Sequence, residues 1–473
     1  MAEVVVGVGT NLGPRLDHLR RGVRSLRALA PRLSDIRVSP IYESDALVPE
    51  GAPEEWRRPY LNLAVCGRWD DSPEELLRTL KDLEARLGRR PRERWGPREV
   101  DFDLLVFDEC VIDTAGLTVP HPGLADRPFA LLPLADLAPD WRFPPESGPP
   151  PLAGLTAREA ARRWTGTPDH VPLRTRRSFL SLTEVVGVVN ITPDSFSDGG
   201  AYVDPDAALR HARTLVADGA TVLDLGAEST RPGATPITVE EEWARLGPVL
   251  EQFSLSLFSA FSAKSASSAS RGADGGGGDD SPIVSVDTRH VQIALNAITA
   301  GARWINDVTG FGDPAMVDAV AEADVDLVLM HSLGIPPDRR RTIPETEDPV
   351  AFVLAWADER LTALEARGTG RERVILDPGI GFGKTPDQNA ELLRRAGALS
   401  ALGTRVLVGH SRKSFLAAWY PSGHPAATDP AARDHETALL SAHLARLGVD
   451  YVRVHDVAAT VRALRAQAFV GSP

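Results

Sequence analysis

The sequence of 473 residues is poor in cysteine, with two, and in methionine, with three, and it carries no basic surplus. Cys66 and Cys110 form no C-x-x-C pair, which excludes a disulfide framework and a cysteine zinc site and favours a reducing compartment. The net charge of −13 argues against nucleic acid or an anionic membrane as a partner. Because the chain opens on a strand pattern without a basic stretch, and no apolar run reaches the roughly 20 residues of a membrane span, we expect a cytoplasmic protein without a signal peptide.

Length and composition predict two or three folded domains. The 43% hydrophobic and 25% charged residues are typical of a globular protein with a sizeable core. Residues 166–180 belong to a Pro- and Arg-rich stretch and are predicted to be a linker. Residues 254–281, where a Ser/Ala tract precedes GGGGDD, are predicted to be a disordered insertion. We therefore predict one domain over residues 1–165 and another over 181–473.

The strand and helix patterns of the first domain follow the order βαββαβ. They predict strands Val4–Val8, Ile36–Tyr42, Leu61–Trp69 and Val100–Phe107, and helices Arg15–Leu29 and Pro73–Leu87. The second helix has a capping box, with Ser72 as N-cap and Glu75 three residues on. This order is that of an α+β ferredoxin-like fold.

Two glycine-rich segments resemble nucleotide-binding loops but lack an essential feature. In Gly7–Gly13 the third glycine of a dinucleotide fingerprint comes one residue late, and no acidic residue ends a second strand at the usual distance. Gly381–Thr385 resembles the end of a P-loop, but Pro378 stands where that loop needs glycine. Neither segment is therefore predicted to bind a nucleotide in that way.

Two carboxylates preceded by arginines predict a polyphosphate site in the first domain. Asp101 and Asp103 are two residues apart in a predicted strand, so both side chains point to the same face. Hard oxygen ligands at this spacing suit one or two Mg²⁺ ions that bridge polyphosphate oxygens. The arginines that can hold a triphosphate are Arg89, Arg90, Arg92, Arg94 and Arg98. The alternative is a solvated basic loop followed by an exposed acidic strand.

Four segments of this domain resemble 6-hydroxymethyl-7,8-dihydropterin pyrophosphokinase. They are Gly7–Leu12, Pro59–Asn62, Arg94–Asp103, and Val119–Pro122 with Arg127 and Phe129. The resemblance implies that ATP is a substrate, that its pyrophosphoryl group passes to the pterin hydroxyl, and that AMP leaves. One departure is Lys81, which stands where glutamine is usual.

The same resemblance implies roles for individual residues. Two Mg²⁺ ions would be bound by Asp101 and Asp103. ATP would be contacted by Glu84, Arg89, Arg92, Arg98, His121 and Arg127, of which Arg89, Arg92 and Arg98 would also be catalytic. The pterin would be contacted by Leu47, Tyr60, Asn62, Trp95 and Phe129.

Eight apolar strands, each followed by a helical pattern, are predicted in the second domain. They end near Asn190, Gly226, Asp287, Asp307, His331, Asp377, Gly409 and His455. This repetition predicts an α/β (β/α)₈ TIM barrel, with a doubly wound sheet as the alternative. Nearly every strand ends on a polar residue, and barrel enzymes place catalytic groups on that rim.

Seven segments at these strand ends resemble dihydropteroate synthase. They are VVNITPDSFSDGG (188–200), DLGAESTRPGA (224–234), SVDTR (285–289), INDVTG (305–310), DPGIGFGKT (377–385), GHSRKSFL (409–416) and RVHDV (453–457). The resemblance implies that a pterin diphosphate condenses with p-aminobenzoate and that pyrophosphate is lost. A buried carboxylate can accept paired N–H groups from the pterin edge, and the resemblance gives this role to Asp377.

This second resemblance also implies a set of site residues. The pterin and its diphosphate would be contacted by Thr230, Asp287, Asn306, Met330, Asp377, Lys413, Arg453 and His455, and the last three would be catalytic. p-Aminobenzoate would be contacted by Phe196, Arg231, Phe382 and Ser414, and Asn190 would bind one Mg²⁺. We expect small-molecule substrates and a homodimer formed through the barrel domain.

Two alternatives remain open for the second domain. One is a barrel of the wider pterin-binding group that transfers methyl groups, against which the SRKS segment and the p-aminobenzoate loops argue. The other is a barrel without catalytic activity that serves as an interaction module. Its only support is the segment 331–341, which differs from the usual loop after the fifth strand.

Overall fold

The computed structural model describes residues 1–90, 93, 95–124, 127–145, 152–163, 176–177, 181–192, 204–229, 235–267, 282–338 and 340–470, without the side chains of 176–177 and 254–267. Five of the predicted site residues, Arg92, Arg94, Phe196, Thr230 and Arg231, lie outside this part of the chain. The chain divides into two compact units, the first mainly Met1–Leu182 and the second mainly the residues from Thr183 onwards.

The first unit is built on an antiparallel sheet. Its strands are β1 (Ala2–Thr10), β2 (Leu33–Val38), β3 (Tyr42–Ser44), β4 (Tyr60–Trp69), β5 (Asp101–Phe107) and β8 (Arg176–Arg177), and a separate pair is β6 (Ile112–Asp113) and β7 (Thr118–Val119). The order is β5-β1-β4-β3-β8, with β2 also paired to β4. Its helices are α1 (Arg15–Arg27), α2 (Pro73–Arg86), α3 (Pro128–Leu137) and α4 (Ala157–Arg163). The predicted α+β ferredoxin-like fold is confirmed.

One detail of the predicted strand order is wrong. The single strand expected over Ile36–Tyr42 is two short strands, β2 and β3, which pair with different parts of β4. Pro40 lies between them, and a proline interrupts a strand because it has no N–H to donate to the ladder. Arg176 and Arg177, which fall in the predicted linker, extend this sheet by pairing with β3.

Side chains of the sheet alternate between two apolar cores. Val4, Val6 and Val8 of β1 pack in the cluster that also holds residues of α1 and α2. Val5 packs on the opposite face in the cluster that holds residues of α3 and α4. This alternation follows from the two-residue period of a strand.

The second unit is a closed barrel of eight parallel strands. They are β9 (Glu184–Asn190), β10 (Val222–Gly226), β11 (Ile283–Asp287), β12 (Trp304–Asp307), β13 (Asp326–Met330), β14 (Val374–Asp377), β15 (Arg405–Val408) and β16 (Tyr451–Val454). Each strand pairs with the next, and β16 pairs with β9. The TIM barrel is therefore confirmed, and the doubly wound alternative is wrong.

Helices surround the barrel. They are α5 (Pro205–Asp218), α6 (Val239–Ser267), α7 (Val291–Thr299), α8 (Pro314–Ala321), α9 (Pro349–Glu365), α10 (Pro386–Arg394), α11 (Pro425–Thr428), α12 (Asp434–Arg446) and α13 (Val457–Val470). Short 3₁₀ turns are Glu54–Trp56 and Pro122–Leu124 in the first unit, and Arg371–Arg373, Ala396–Leu402, Ser414–Trp419 and Ala431–Arg433 in the second. Among the described helices, none has the length and apolar character that crossing a bilayer requires.

Helix α6 corrects the prediction for residues 254–281. It continues to Ser267, so the first half of that segment is helical, whereas residues 268–281 lie outside the described part of the chain. A helix that has already nucleated gains a hydrogen bond for each added residue. The leucines, alanines and lysine of the Ser/Ala tract favour this extension.

The interior of the barrel is apolar at its amino-terminal end. Residues from seven strands form one buried cluster there: Val186, Val222, Trp304, Val328, Ile375, Leu407 and Tyr451. The rings of Trp304 and Tyr451 meet edge to face with centroids 4.9 Å apart. Two residues further along the strands, the inward positions include Asp224, Asn306 and Arg453. The barrel is thus closed below and polar at its carboxyl rim.

Trp304→Ala is expected to destabilise the barrel by about 3–5 kcal/mol, because it opens a cavity among fully buried side chains. Trp419, which is 52% exposed, provides the matched control, and Trp419→Ala should shift stability far less. The barrel's unfolding transition in denaturant measures both. Equal denaturation midpoints for the two variants would show that the stability of the barrel does not depend on the buried Trp304 side chain.

Candidate active sites

A cavity of about 210 Å³ opens over the carboxyl-bearing end of the first sheet. It is lined by most of the residues predicted for this domain: Leu47, Tyr60, Asn62, Trp95, Arg98, Asp101, Asp103, Arg127 and Phe129. The other described ones, Glu84, Arg89 and His121, do not line it. Aromatic, amide and charged groups thus meet in one place, as a flat heterocycle with a charged tail would require.

Pairing of three strands places the carboxylates at the floor of this cavity. Asp101 and Asp103 of β5 lie beside Gly9 and Gly7 of β1, and Gly9 in turn lies beside Asn62 of β4. Directly paired residues share a face, so the glycines leave space between the carboxylates and the amide. A Cβ at Gly9 would lie 2.9 Å from Asn62 Oδ1. Two carboxylates facing an open cavity fit the hard oxygen ligands that Mg²⁺ needs.

Arginines surround Asp101. Arg98 Nη1 lies 3.0 and 2.9 Å from the two carboxylate oxygens, and Arg89 Nη1 lies 2.8 Å from Oδ1. Arg89 also forms an ion pair with Glu84. Two guanidinium groups are therefore held beside Asp101, where they can meet phosphate oxygens.

Glu84 connects these cations to the backbone of β5. It is 3% exposed, and its Oε1 accepts hydrogen bonds from Phe102 N–H at 2.8 Å and from Lys81 Nζ at 2.7 Å. Lys81 Nζ also donates to the Phe102 carbonyl at 3.0 Å. Burial raises the pKa of Glu84. The unusual Lys81 thus has a structural partner, and Glu84 holds Arg89 rather than facing the cavity.

Burial also sets the protonation of two predicted ligands. It raises the pKa of Tyr60 to about 12, with the Asp101 carboxylate contributing in the same direction, so the phenol stays protonated. Burial lowers the pKa of His121, whose Nδ1 accepts the Gly123 N–H at 3.0 Å. A neutral His121 therefore carries its proton on Nε2 and can donate it.

Asn11 is a site residue to which the sequence analysis gave no role. It is 2% exposed, its Oδ1 accepts the Arg98 N–H at 2.7 Å, and its own N–H donates to the Arg98 carbonyl at 3.1 Å. Its Nδ2 donates to the Arg58 carbonyl at 3.3 Å. The asparagine therefore fixes the backbone that carries Arg98. The sequence did offer one indication of Asn11, because it is a polar residue directly after a predicted buried strand.

Asn11→Ala should lower kcat/KM for ATP about tenfold. The change leaves the half-buried Arg98 N–H without its acceptor, which costs about 1–3 kcal/mol, and it frees the segment that positions the guanidinium. Steady-state kinetics of AMP release measure the effect. Dihydropteroate formation in the same variant serves as the control. Unchanged kinetics for ATP would show that Arg98 does not depend on this contact.

At the rim of the barrel, Arg453 bridges two carboxylates. Its Nε lies 2.6 Å from Asp224 Oδ2 and its Nη2 lies 3.3 Å from Asp287 Oδ2. Asp224 is 1% exposed and also accepts from Ser285 Oγ at 2.6 Å. Burial and the Asp224 carboxylate raise the pKa of Asp287 to about 8. Asp224 and Ser285 were not predicted, although a carboxylate inside the apolar run VLDLG was a usable signal.

Two predicted pterin ligands carry buried acceptor oxygens. Asn306 donates from Nδ2 to Asp224 at 3.4 Å, while its buried Oδ1 has no hydrogen-bond partner within the described residues. Asp377 accepts the Gly379 N–H on Oδ1 at 2.8 Å, and burial raises the pKa of this carboxyl. A buried acceptor without a donor is costly, so the Asn306 oxygen is available to accept an N–H group from a ligand.

Three further predicted residues meet beside this pocket. Lys413 Nζ lies 4.2 Å from the centroid of the Phe382 ring, a distance suited to a cation–π contact. Phe382 packs in a small apolar cluster with Met330, Val308 and Ile335. A cation, an aromatic ring and a thioether therefore adjoin the acceptors of Asn306 and Asp377.

The loop after β15 carries Lys413 and Ser414 and is firmly held. Arg412 has φ +60°, and its guanidinium pairs with Asp434 at 2.7 and 2.6 Å. The buried Arg433 donates to the Arg412 carbonyl at 3.0 Å.

The ends of β9, β15 and β16 place the remaining predicted residues. Ser411 Oγ lies 2.9 Å from Nδ1 of His455, which follows β16. Ser414 is exposed at the same rim, and Asn190 ends β9 there. The described residues that were predicted for the second site therefore lie at the carboxyl ends of the barrel strands, on one rim.

Comparison with known proteins follows this division of the chain. The family model described as 7,8-dihydro-6-hydroxymethylpterin-pyrophosphokinase matches residues 5–139, and the one described as pterin binding enzyme matches residues 186–260 and 279–455. The "Folate synthesis bifunctional protein" of Chlamydia trachomatis is 36% identical over 474 residues, covering 99% of this chain and 98% of that protein.

Solved structures resemble the second unit. The dihydropteroate synthase of Anaplasma phagocytophilum with bound 6-hydroxymethylpterin-monophosphate is 34% identical, covers 61% of this chain and 99% of that one, and has a TM-score of 0.51. The Xanthomonas albilineans dihydropteroate synthase with 4-aminobenzoic acid is 37% identical, covers 62% of this chain and 96% of that one, and has a TM-score of 0.50.

An α+β domain with paired carboxylates, joined to a barrel with a polar rim, defines a two-domain transferase. The chain belongs to the bifunctional folate-synthesis family, in which a pyrophosphokinase domain precedes a pterin-binding dihydropteroate synthase barrel. Both predicted resemblances are confirmed. The methyl-transferring and non-catalytic alternatives for the barrel are not favoured.

Proposed function

We propose that the two sites of this chain act in sequence on one pterin. The first transfers pyrophosphate from ATP to 6-hydroxymethyl-7,8-dihydropterin, and the second joins the resulting pterin diphosphate to p-aminobenzoate. The observation that carries this proposal is the presence of both sites in one chain, where the product of the first reaction is the substrate of the second. The similarity to a bifunctional relative over 99% of the chain supports it.

In the first site, the cavity walls hold the pterin and the arginines hold ATP. Tyr60, Phe129 and Trp95 offer aromatic faces, and Asn62 offers an amide to the ring edge. Arg98 and Arg89, which pair with Asp101 in this structure, move their donors to phosphate oxygens when ATP arrives. The pterin hydroxyl loses its proton and attacks the β-phosphorus, and the bond from that phosphorus to the α-phosphate oxygen breaks to release AMP. Positioning and charge neutralisation supply most of the catalysis.

Asp101 and Asp103 are proposed to bind two Mg²⁺ ions, and Asn190 of the barrel is proposed to bind one. When bound, Mg²⁺ neutralises charge on the phosphate oxygens. The two aspartates fit this role because they share one face above Gly7 and Gly9. Asn190 would supply one amide oxygen, and diphosphate oxygens and waters would complete the shell, since Mg²⁺ usually keeps several waters and binds substrate phosphates.

In the second site, the buried oxygens of Asp377 and Asn306 receive N–H groups of the pterin. Asp287 lies beside them, and Arg453 and His455 meet the diphosphate. The C–O bond to the diphosphate breaks, the positive charge on the CH₂ carbon spreads into the pterin ring, and the amine of p-aminobenzoate then forms the C–N bond and releases its proton. Cations at the rim stabilise the departing pyrophosphate.

p-Aminobenzoate is proposed to lie against Phe382, with its carboxylate near Ser414. Lys413 lies between this ring and the pterin acceptors and contacts both substrates in the proposal. The predicted partners of p-aminobenzoate in the first two loops, Phe196 and Arg231, fall outside the described residues. Thr230, predicted for the diphosphate, and Arg92, predicted for ATP, do so as well.

We further propose a cytoplasmic homodimer formed through the barrel domain. Both cysteines are free, one buried and one exposed, which suits a reducing compartment. The domain limits remain as proposed at 1–165 and 181–473, with the strand at Arg176–Arg177 adding to the first sheet.

Two half-reactions test the proposed function. With hydroxymethyldihydropterin, ATP and Mg²⁺ alone, the protein should form AMP, and not ADP, in equal amount with pterin diphosphate. With purified pterin diphosphate, p-aminobenzoate and Mg²⁺ but no ATP, it should form dihydropteroate and pyrophosphate. ADP as the nucleotide product would contradict the first site, and absence of dihydropteroate would contradict the second.

A further inference from the structure

The loop that follows β14, residues 378–385, packs its backbone directly on the segment after β13. Gly379 has φ +65°, and a Cβ at this position would lie 1.9 Å from the His331 carbonyl oxygen. Gly383 has φ +71°, and its Cβ would lie 2.6 Å from Leu333. Phe382, the proposed wall of the p-aminobenzoate site, lies between these two close approaches.

Lys384 is buried inside this loop with every donor satisfied. It is 8% exposed, and its Nζ lies 2.8 Å from His331 Nδ1, 2.9 Å from the Gly379 carbonyl and 3.0 Å from the Phe382 carbonyl. An ammonium group has three N–H donors and no acceptor. Three acceptors at hydrogen-bond distance therefore match it completely.

His331 is held as the neutral acceptor that this arrangement needs. Burial and the nearby Lys384 ammonium lower the pKa of His331 to about 3, so its Nδ1 can accept at neutral pH. The imidazole meets the Trp356 ring edge to face, with centroids 4.9 Å apart. The Lys384 head is thus fixed on one side by the segment after β13 and on the other by the loop itself.

Asn389 holds the same loop from α10. It is 2% exposed, and its Oδ1 accepts the Gly381 N–H at 2.8 Å. Its Nδ2 donates to the Thr385 carbonyl at 2.9 Å. Together, Lys384 and Asn389 bind backbone groups on both sides of Phe382.

We propose that Lys384, seated on His331, is a positioning residue for p-aminobenzoate, because it holds the two carbonyls that fix the place of the Phe382 ring. This proposal rests on the proposed role of Phe382. Burying an ammonium is costly unless hydrogen bonds compensate for the lost water, and two of the acceptors that do so here are carbonyls of the segment that carries the ring. The ring in turn lies 4.2 Å from the Lys413 ammonium.

Lys384→Met tests the proposal, because methionine has a similar length and no donor. The KM for p-aminobenzoate should rise about tenfold or more, since hydrogen bonds from a charged donor are lost. The KM for pterin diphosphate and kcat should change less than the KM for p-aminobenzoate, because only one of the proposed pterin ligands, Asp377, adjoins this loop through the Gly379 N–H. The others, Asn306, Asp287 and Arg453, lie on other strands. AMP release by the first domain should not change.

Other outcomes overturn the proposal. A merely structural lysine would raise both KM values together and lower kcat, or leave the KM for p-aminobenzoate unchanged. If Lys384→Met does not fold, Asn389→Ala should show the same selective rise, and its failure to do so would count equally against the idea. Phe382→Ala distinguishes failure of the proposed role of Phe382 from failure of the proposed role of Lys384. An unchanged KM for p-aminobenzoate in that variant would refute the role of Phe382, whereas a rise there without one in Lys384→Met would refute only the role of Lys384.

A pH profile gives a second readout. Burial lowers the pKa of Lys384 to about 7, so the protonated fraction falls above that pH and one acceptor loses its donor. The KM of the unmodified protein for p-aminobenzoate should therefore rise from pH 7 to 9. His331, Asp377 and Lys413, the charged or titratable groups around Lys384, stay in Lys384→Met. A profile equally steep in that variant would contradict the assignment to Lys384.

Discussion

Replacing Asp103 with alanine is expected to lower ATP-dependent pyrophosphorylation about 10³-fold or more, while dihydropteroate formation from supplied pterin diphosphate stays unchanged. Asp103 shares a face with Asp101 on β5 and lies beside Gly7, at the floor of the cavity. Loss of a carboxylate that binds metal removes several kcal/mol of charge stabilisation, and about 1.4 kcal/mol corresponds to each factor of ten in rate. AMP release and dihydropteroate formation, measured on one preparation, check both halves of this expectation.

Measuring both reactions in Asp103→Ala distinguishes a defect at the metal site from misfolding of the chain. Asp113, exposed on β6, provides a matched carboxylate in the same domain, and Asp113→Ala should leave both reactions intact. Near-normal pyrophosphorylation by Asp103→Ala would place the metal site elsewhere. Loss of both reactions would show that the variant had damaged the whole chain.

Lys413→Ala should have the reverse effect, with dihydropteroate formation lowered about 10²–10³-fold, the range expected when a fixed donor at the reacting centre is removed. The ammonium lies over Phe382, and its positive charge faces the buried Asp377 carboxyl. Its removal takes away the cation that adjoins both proposed substrates. Steady-state turnover with both substrates saturating measures the effect, and AMP release reports on the untouched first domain.

Arg462, an exposed cation on α13, is the control for charge alone. Arg462→Ala should keep full turnover in both reactions. Undiminished dihydropteroate formation by Lys413→Ala would mean that the pterin pocket lies away from the loop after β15. Asp103→Ala should therefore lose only pyrophosphorylation, and Lys413→Ala should lose only dihydropteroate formation.

Local patterns predicted much of the fold. The helices predicted to follow the barrel strands are present, and an N-cap, an initial proline or an apolar period marks examples such as Pro205–Asp218, Val291–Thr299 and Pro349–Glu365 within a few residues. The eight strand ends also fell within about one residue of their predicted places, since apolar runs that end on a polar residue are visible locally. The Asp-x-Asp pair could be placed on one face from the strand period alone.

What the sequence did not reveal depends on contacts between distant segments. Arg98 is held by Asn11, 87 residues away, and Arg453 is held by Asp224, 229 residues away. Lys384 and His331 are separated by 53 residues, and only the neighbouring strands β13 and β14 bring them together. Each of these residues, taken alone, reads as an ordinary polar residue near the end of a strand.

Nucleation and proline explain the local errors. Pro40 divides a predicted strand into β2 and β3, although the apolar pattern continues across it. Helix α6 extends into the Ser/Ala tract because the preceding turns already form a helix. The first error thus comes from a single proline, and the second from the helix that precedes the Ser/Ala tract.

The central claim, two consecutive transfers in one chain, is tested most directly by a coupled assay. Hydroxymethyldihydropterin, ATP and Mg²⁺ are mixed with the protein, and p-aminobenzoate is added after AMP release has reached its plateau. We predict that dihydropteroate and pyrophosphate then form in equal amounts, limited by the pterin diphosphate already made. AMP formation that is followed by no dihydropteroate would contradict the account and leave the barrel without its proposed activity.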